Sequence, residues 1–527
     1  MGFFGLEEKS RSGDPLKGTS LDFLHKHECR VCPLNQNRDA KSPNMEPSGS
    51  AKPLVYMLGE APDANDDRKD MHFSGAGGRL LHDLIPAKYR DKLRWNHVVR
   101  TATPEFRVPT PVEIECCRPS IVRDIEKTRP VAIFGFGNEP LRWATQQHTV
   151  SKWTGRAIPV KIGSHTCWFF PMLDPTIHVL QRRHPKFKPG RGRWGSEDEF
   201  SFALDLWKAF ELVETLPEPV VHTPEDARAN VHWVTGKNGW KDVDTVKAVL
   251  ARMAKADDVI GNDIETNGLR PYDKGAKILT AAVADGKEAF AFALRHRQAL
   301  WTPEQLEEVE QAYEDFLYDA VGTKAVHSLA FEHEWHGFFY GREVVRAGEW
   351  GCSMSQAFIL DERTIRSKPG TQSLELLCIQ YFGINVKKLS GVDRANLDQV
   401  PLEEVLPYNG IDAKYHRDLF MVQERRLVAE DLIRVYDSHM RRVPTMVLTQ
   451  MKGIPIDQVF VTQLFKKYNE RVEEAEDVIF DLDIVRRFKK ERGHAFNPGS
   501  NEDLKHIFSR MLGVVSENYD EDALGKI

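Results

Sequence analysis

Hydrophobic positions along the chain fall into short continuous runs separated by helical stretches. Leu54-Val55-Tyr56-Met57-Leu58-Gly59 and Val131-Ala132-Ile133-Phe134-Gly135-Phe136-Gly137 have strand length and end at glycines, the pattern of strands buried on both faces. Helical patterns at Arg79 to Leu84 and Pro119 to Thr128 lie between them. After Leu216-Pro217-Glu218-Pro219, a candidate linker, the alternation resumes. Asp258 to Ile264 and Ile278 to Ala284 are expected to be neighbouring strands, with helices near Pro303 to Ala320 and Ser373 to Phe382. From about Glu424 the pattern turns helical, over Leu432 to Lys452 and Phe460 to Leu482, with a break at Gly453-Ile454-Pro455. The expectation is a multidomain α/β protein: α/β regions over 20–212 and 231–425 joined by a linker at 213–230, then a helical region over 426–527.

At 527 residues, with 41% hydrophobic and 28% charged, the chain is long enough for several domains with cores of their own and too apolar to be disordered. Net charge is −6 overall, divided as about +6 over residues 1–212 and about −12 over the rest. A basic front suits phosphates and an acidic remainder suits a carboxylate site that recruits metal ions, although surface drift would give the same division. Seven cysteines do not make a disulfide framework. No apolar run approaches the ~20 residues of a membrane helix, so the expectation is a protein of the cytoplasm with no membrane partner.

In a strand, Asp263 and Glu265 share a face while Ile264 turns inward. Two adjacent like charges are unfavourable unless cations bind beside them. Glu332 follows Ala330-Phe331, and Tyr408-Asn409-Gly410-Ile411-Asp412 sets a phenol and a carboxylate one helical turn apart. Each piece alone also fits a solvated surface or an ordinary helix. Their order resembles the 3′→5′ proofreading exonuclease domain of family A DNA polymerases, the bacterial DNA polymerase I type. Phe358-Ile359-Leu360-Asp361 and Gly370-Thr371-Gln372-Ser373-Leu374-Glu375-Leu376 extend the likeness. It implies a ribonuclease H-like fold and two Mg2+ or Mn2+ ions held by Asp263, Glu265, Glu332 and Asp412, with Tyr408 orienting the attacking water. The chain departs from the family in having glutamate at 332, where aspartate is usual, and His327-Ser328 before it.

Beyond this region, Arg442-Val443-Pro444-Thr445-Met446, Gly453-Ile454-Pro455-Ile456-Asp457 and Phe496-Asn497-Pro498-Gly499-Ser500 resemble the start of a family A polymerase domain and its thumb. No palm or fingers sequence follows. The expectation is a chain that does not itself polymerise DNA, and one explanation is a partner chain supplying palm and fingers.

Toward the front, Cys29-Arg30-Val31-Cys32-Pro33-Leu34, Gly59-Glu60-Ala61-Pro62-Asp63, His72 to Leu81, Trp95-Asn96-His97-Val98-Val99 and Trp153-Thr154-Gly155-Arg156 appear in an order that resembles the iron–sulfur (family 4) uracil-DNA glycosylases. The likeness implies Phe73 stacking on a flipped base, Asn96 bonding the uracil edge and Glu60 beside the water. It also implies a 4Fe–4S cluster on Cys29, Cys32 and Cys116 or Cys117, although the third cysteine, expected near Arg100 or Thr101, is absent. His27 as a substitute ligand, a zinc ion and a metal-free remnant stay open. The late His-Pro motif appears as Asp174-Pro175, placing an acid where negative charge develops on the departing base. Arg182, Arg183, Lys186, Lys188, Arg191 and Arg193, interleaved with Phe187 and Trp194, form a candidate DNA-contacting loop.

The leading expectation is the front part of a phage family A polymerase that trims mismatched 3′ ends of primer–template or single-stranded DNA. A catalytically silent DNA- or uracil-binding module, and an RNA-trimming exonuclease of the ribonuclease D kind, are the alternatives.

Overall fold

The computed structural model describes residues 20–183, 197–362, 370–389 and 391–514. The chain divides into two compact units, Met1–Met451 and Lys452–Ile527.

The first unit holds two six-stranded sheets. In the first, β1 (Ser48–Gly49), β2 (Val55–Gly59), β3 (Leu93–His97), β4 (Ala132–Phe136), β5 (Ile158–Ile162) and β6 (His165–Met172) lie in the order β1-β3-β2-β4-β6-β5. The four central strands are parallel, and β1 and β5 pair antiparallel at the edges. Strands β2 and β4 are wholly buried, as their unbroken apolar runs require. Alternation sends Tyr56 and Leu58 to one face, where Ile121 and Ile125 of the helix Pro111–Thr128 cover them. Val55 and Met57 go to the other, against Phe202, Leu206 and Phe210 of the helix Glu197–Thr215.

The helix expected from Pro119 starts eight residues earlier, at Pro111. Pro111 occupies its first position, and Thr110 and Glu113 close a reciprocal capping box, which sets the start. Pro119 costs one backbone hydrogen bond inside the helix, and the buried face on either side holds the helix together across it.

The second sheet contains β7 (Val231–Val234), β8 (Ile260–Thr266), β9 (Ile278–Ala284), β10 (Ala289–Ala293), β11 (Lys324–Val326) and β12 (Trp350–Cys352), ordered β12-β11-β8-β9-β10-β7. Counted from β8, this is an antiparallel meander with two parallel strands on its inner side, the order 3-2-1-4-5 of a ribonuclease H-like sheet, with β7 added outside. The helices Trp240–Ala254 and Pro303–Asp319 cover one face through Val246, Leu250, Val309 and Phe316. The helix Leu402–Ala429 covers the other. It approaches closely: a Cβ on Gly261 would stand 2.0 Å from the carbonyl oxygen of Ala413.

The helix expected over Leu432 to Lys452 is two, Ile433–Met440 and Val443–Lys452. Pro444 has no N–H for the carbonyl four residues back, so the run breaks there. In the second unit, Gln458–Phe480 and Asp483–Arg492 are helical, and Val485, Phe488, Phe496 and Ile507 form a small core. Among the described residues no helix is long and apolar enough to cross a membrane.

Candidate active sites

Strand β8 carries Asp263 and Glu265 on one face, while Ile264 enters the core. The helix Leu402–Ala429 lies across that face and presents Tyr408 and Asp412 one turn apart. One carboxylate oxygen each from Asp263, Glu265 and Asp412 falls within 4.8 Å of the others. Glu332, in the first turn of the helix Leu329–Phe339, lies beside these three but outside that spacing: its Oε2 is 3.7 Å from His336 Nε2.

Burial pushes the Asp263 carboxyl well up, and Glu265, Asp412 and Glu332 push it further. Glu332 is raised by burial and then by Glu265. Glu265 is raised by burial against the opposing pull of Lys387. Asp412 Oδ1 and Glu332 Oε2 are buried without a hydrogen-bond partner. Hard oxygen donors under mutual repulsion, two of them unpartnered, fit a divalent cation such as Mg2+ or Mn2+.

Two residues that carried no motif signal complete the cluster. Asn409 Nδ2 donates to Asp263 Oδ2 at 2.6 Å, while its Oδ1 accepts from Thr280 Oγ1 at 2.8 Å. Helical periodicity turns position 409 toward the sheet, which was the available clue. Lys387 Nζ donates to Tyr408 Oη at 2.5 Å and pairs with Asp412 Oδ2. It lies in the short turn Val386–Lys388, where no periodicity could have marked it.

A second cluster gathers at the end of β2. Glu60 Oε1 accepts from the backbone N–H groups of Asn138 at 2.8 Å and Glu139 at 3.3 Å, at the start of the helix Asn138–Thr145. Burial, then the charge of Asp174, raises the Glu60 carboxyl to about 7. Asp174 Oδ1 also accepts from the backbone of Thr176. Phe73 has a left-handed backbone, φ +55°, and its ring stacks on His97 at 4.8 Å.

Glu60, Asp174 and Phe73 therefore share this end of the sheet, and Asn96 does not. Its Nδ2 donates to Tyr56 Oη at 2.8 Å, Tyr56 donates to Asp124, and its Oδ1 accepts from the backbone of His97. The cause is the strand period of two: with His97 turned to Phe73, Asn96 faces the opposite side. His97 takes the position expected of Asn96, its Nδ1 2.8 Å from Nδ1 of His72.

Cys29, Cys32, Cys116 and Cys117 meet at one corner. Hydrogen bonds with Cys116 and then Cys117 lower the Cys32 thiol, and the same contact raises both partners. Cys29 Sγ turns to Asn44 Oδ1 at 3.2 Å. Four thiols are the donor complement of an iron–sulfur cubane. Among the described residues, no three of them reach the mutual spacing of the carboxylates. Arg182 and Arg183 end the helix Pro175–Arg183; Lys186, Lys188, Arg191 and Arg193 lie outside the described residues.

Residues 46–208 match the uracil DNA glycosylase superfamily. The matched residues contain all six strands of the first sheet. The chain is similar to the type-4 uracil-DNA glycosylase of Archaeoglobus fulgidus, 32% identical over 122 residues, 22% of this chain and 60% of that protein. The chain thus spans about three-fifths of that relative's length. A DNA polymerase of Bacillus phage SP01 is 27% identical over 146 residues, covering 27% of this chain and 15% of the polymerase. Among solved structures, Escherichia coli RNase D, an exoribonuclease involved in structured RNA processing, aligns over 42% of this chain and 51% of its own, with a TM-score of 0.31 and 14% identity. A superposition that loose adds nothing to the sheet order described above.

Proposed function

We propose that the carboxylate cluster is a metal-dependent 3′→5′ DNA exonuclease site of the family A polymerase type. The observation that carries this reading is the meeting of Asp263, Glu265 and Asp412 within 4.8 Å, with Tyr408 one turn from Asp412. A bound Mg2+ or Mn2+ would polarise the phosphoryl group and acidify a water. Asp263, Glu265 and Asp412 would supply its ligands, with Glu332 alongside. Asn409 fixes the orientation of Asp263, and the Tyr408 hydroxyl orients the attacking water.

Digestion of a 5′-labelled primer–template with a mismatched 3′ end tests this. The wild-type chain gives a magnesium-dependent ladder, and EDTA or Asp263→Ala abolishes it. A ladder that persists in Asp263→Ala refutes the assignment. Preference for a DNA strand over the matching RNA separates it from an RNA-trimming enzyme.

For the glycosylase-like domain, the repulsion between Asp174 and Glu60 favours uracil binding over excision. An anion beside the base opposes the negative charge that develops on it as the glycosidic bond breaks. The domain then serves to hold DNA near the exonuclease. Binding of a dU oligonucleotide with little release of free uracil is the expected result, and rapid release removes this reading. Absorbance near 400 nm with bound iron would show that the four thiols hold a cluster.

A further inference from the structure

The helix Gln458–Phe480 of the second unit has no buried residue. Asp457 caps it through the N–H of Phe460, yet helices draw most of their stability from packing an apolar face. Ile479, in the last turn, packs against the small core of this unit, and the residues before it are open to solvent. Phe465 is 68% exposed, and Tyr468 and Val472 are 53% exposed each.

The apolar positions keep a strict period. Val461, Phe465, Tyr468, Val472, Ala475 and Ile479 follow one another at alternating steps of four and three, the 3.5-residue repeat of a coiled-coil seam. The seam spans about 27 Å, and a second helix must complete it. Two features select a reversed copy of the same helix. With Tyr468 set against Val472 of an antiparallel copy, Phe465 falls opposite Ala475 and Val461 opposite Ile479, so a large ring faces the smallest side chain of the seam. Parallel pairing in register would set Phe465 against itself. Charge points the same way. From 458 to 469 the helix carries Lys466 and Lys467 and no acid, whereas from 470 to 480 five acids, Glu470 to Asp477, stand against Arg471 alone. Antiparallel pairing lays each basic half beside an acidic half, and parallel pairing lays acid beside acid.

We propose that this helix is a self-association surface through which two copies of the chain pair as an antiparallel coiled coil. The pairing is independent of the chemistry at either sheet.

The test is the mass of the full chain by sedimentation equilibrium at about 100 μM, where a complex with a dissociation constant of about 1 μM is nearly all assembled. Wild type should have twice the mass of one chain. Phe465→Glu should return it to a single chain, whereas Gln463→Glu, the same change of charge on the outer face, should stay paired. Both positions are exposed in the single chain, so neither change threatens its fold. Direction is read by oxidising cysteine variants, with wild type as the control for the chain's own seven cysteines. A mixture of Phe465→Cys and Ala475→Cys should give a cross-linked pair that neither variant gives alone. A wild type that stays a single chain overturns the proposal and leaves the face to a different protein. A dimer that survives Phe465→Glu, or one lost equally in Gln463→Glu, overturns it as well. Cross-linking of either variant with itself, or none in the mixture, overturns the antiparallel arrangement.

Discussion

Asn409 gives the most direct handle on how the protein, rather than the metal, builds the carboxylate cluster. It is fully buried, donates to Asp263 Oδ2 at 2.6 Å and accepts from Thr280. Asn409→Ala removes a hydrogen bond to a carboxylate, worth about 1.5–3 kcal/mol. It also leaves the buried Thr280 hydroxyl without its acceptor, a separate cost to folding of about 1–3 kcal/mol.

The two costs act on different quantities. Loss of the first weakens the ionised, oriented form of Asp263 that a metal needs; at 1.4 kcal/mol per decade it corresponds to roughly 10–100-fold weaker metal binding, the range seen when partners behind metal ligands are removed. Loss of the second lowers thermal stability whether or not metal is bound. Magnesium titration of 3′-end degradation, paired with calorimetric melting, separates them. The half-saturating magnesium concentration should rise roughly 10–100-fold, with much of the rate recovered at saturation. A variant that melts earlier but keeps the wild-type magnesium dependence would refute the claim that Asn409 positions Asp263.

Glu60 provides a pH signature. Its carboxyl is raised from 4.5 to about 7 in the fold, so between those values the native state holds more protons than the unfolded chain and stability falls as pH rises, by at most about 1.4 kcal/mol per pH unit. Glu60→Gln should remove this slope, and a difference between wild type and variant that stays flat from pH 4.5 to 7 would contradict the shift. Gly261→Ala should lower stability by about 1–3 kcal/mol and weaken metal binding, because its Cβ would meet the Ala413 carbonyl and push the helix bearing Asp412 off β8; an unchanged melting temperature would show the helix can move freely. Arg156, 4% exposed, pairs with Asp361 at 2.8 Å, so Arg156→Ala should cost about 3–5 kcal/mol on melting, and a loss below 1 kcal/mol would mean the pair contributes little.

What the sequence disclosed follows from which side chains obey a period. Asp263 and Glu265 flank a core isoleucine, and Tyr408 and Asp412 stand one turn apart, so strand and helix periods alone set them on defined faces. The buried runs of β2 and β4 likewise announced an α/β core. Lys387 lies in a turn, where no period constrains direction, and reaches the site only because the chain folds back beside Tyr408. Asn96 and His97 are neighbours in one strand, and choosing between them required the strand's facing, which motif order does not contain. Pro119 and Pro444 show the same limit for boundaries. One proline lies inside a well-capped helix that tolerates it, while the other divides a run whose periodicity continues.

One helix ties the first sheet to the second. In Leu374–Phe382, Leu377, Cys378 and Phe382 enter the core beneath the helix Leu402–Ala429. Leu376 and Ile379 join the core of the first sheet, alongside Ile158 and Val160 of β5. Gln380, on the same helix, bonds Arg156, and a Cβ at Gly383, just past its end, would meet the carbonyl oxygen of Pro159 at 2.6 Å. Lys387 follows four residues later. Separating the sheets within 213–230 would therefore expose Leu376 and Ile379 and loosen the helix that leads into the turn carrying Lys387. Because burial of apolar surface is the main stabilising term in folding, the first sheet supports the carboxylate cluster through shared core packing, with or without glycosylase chemistry of its own.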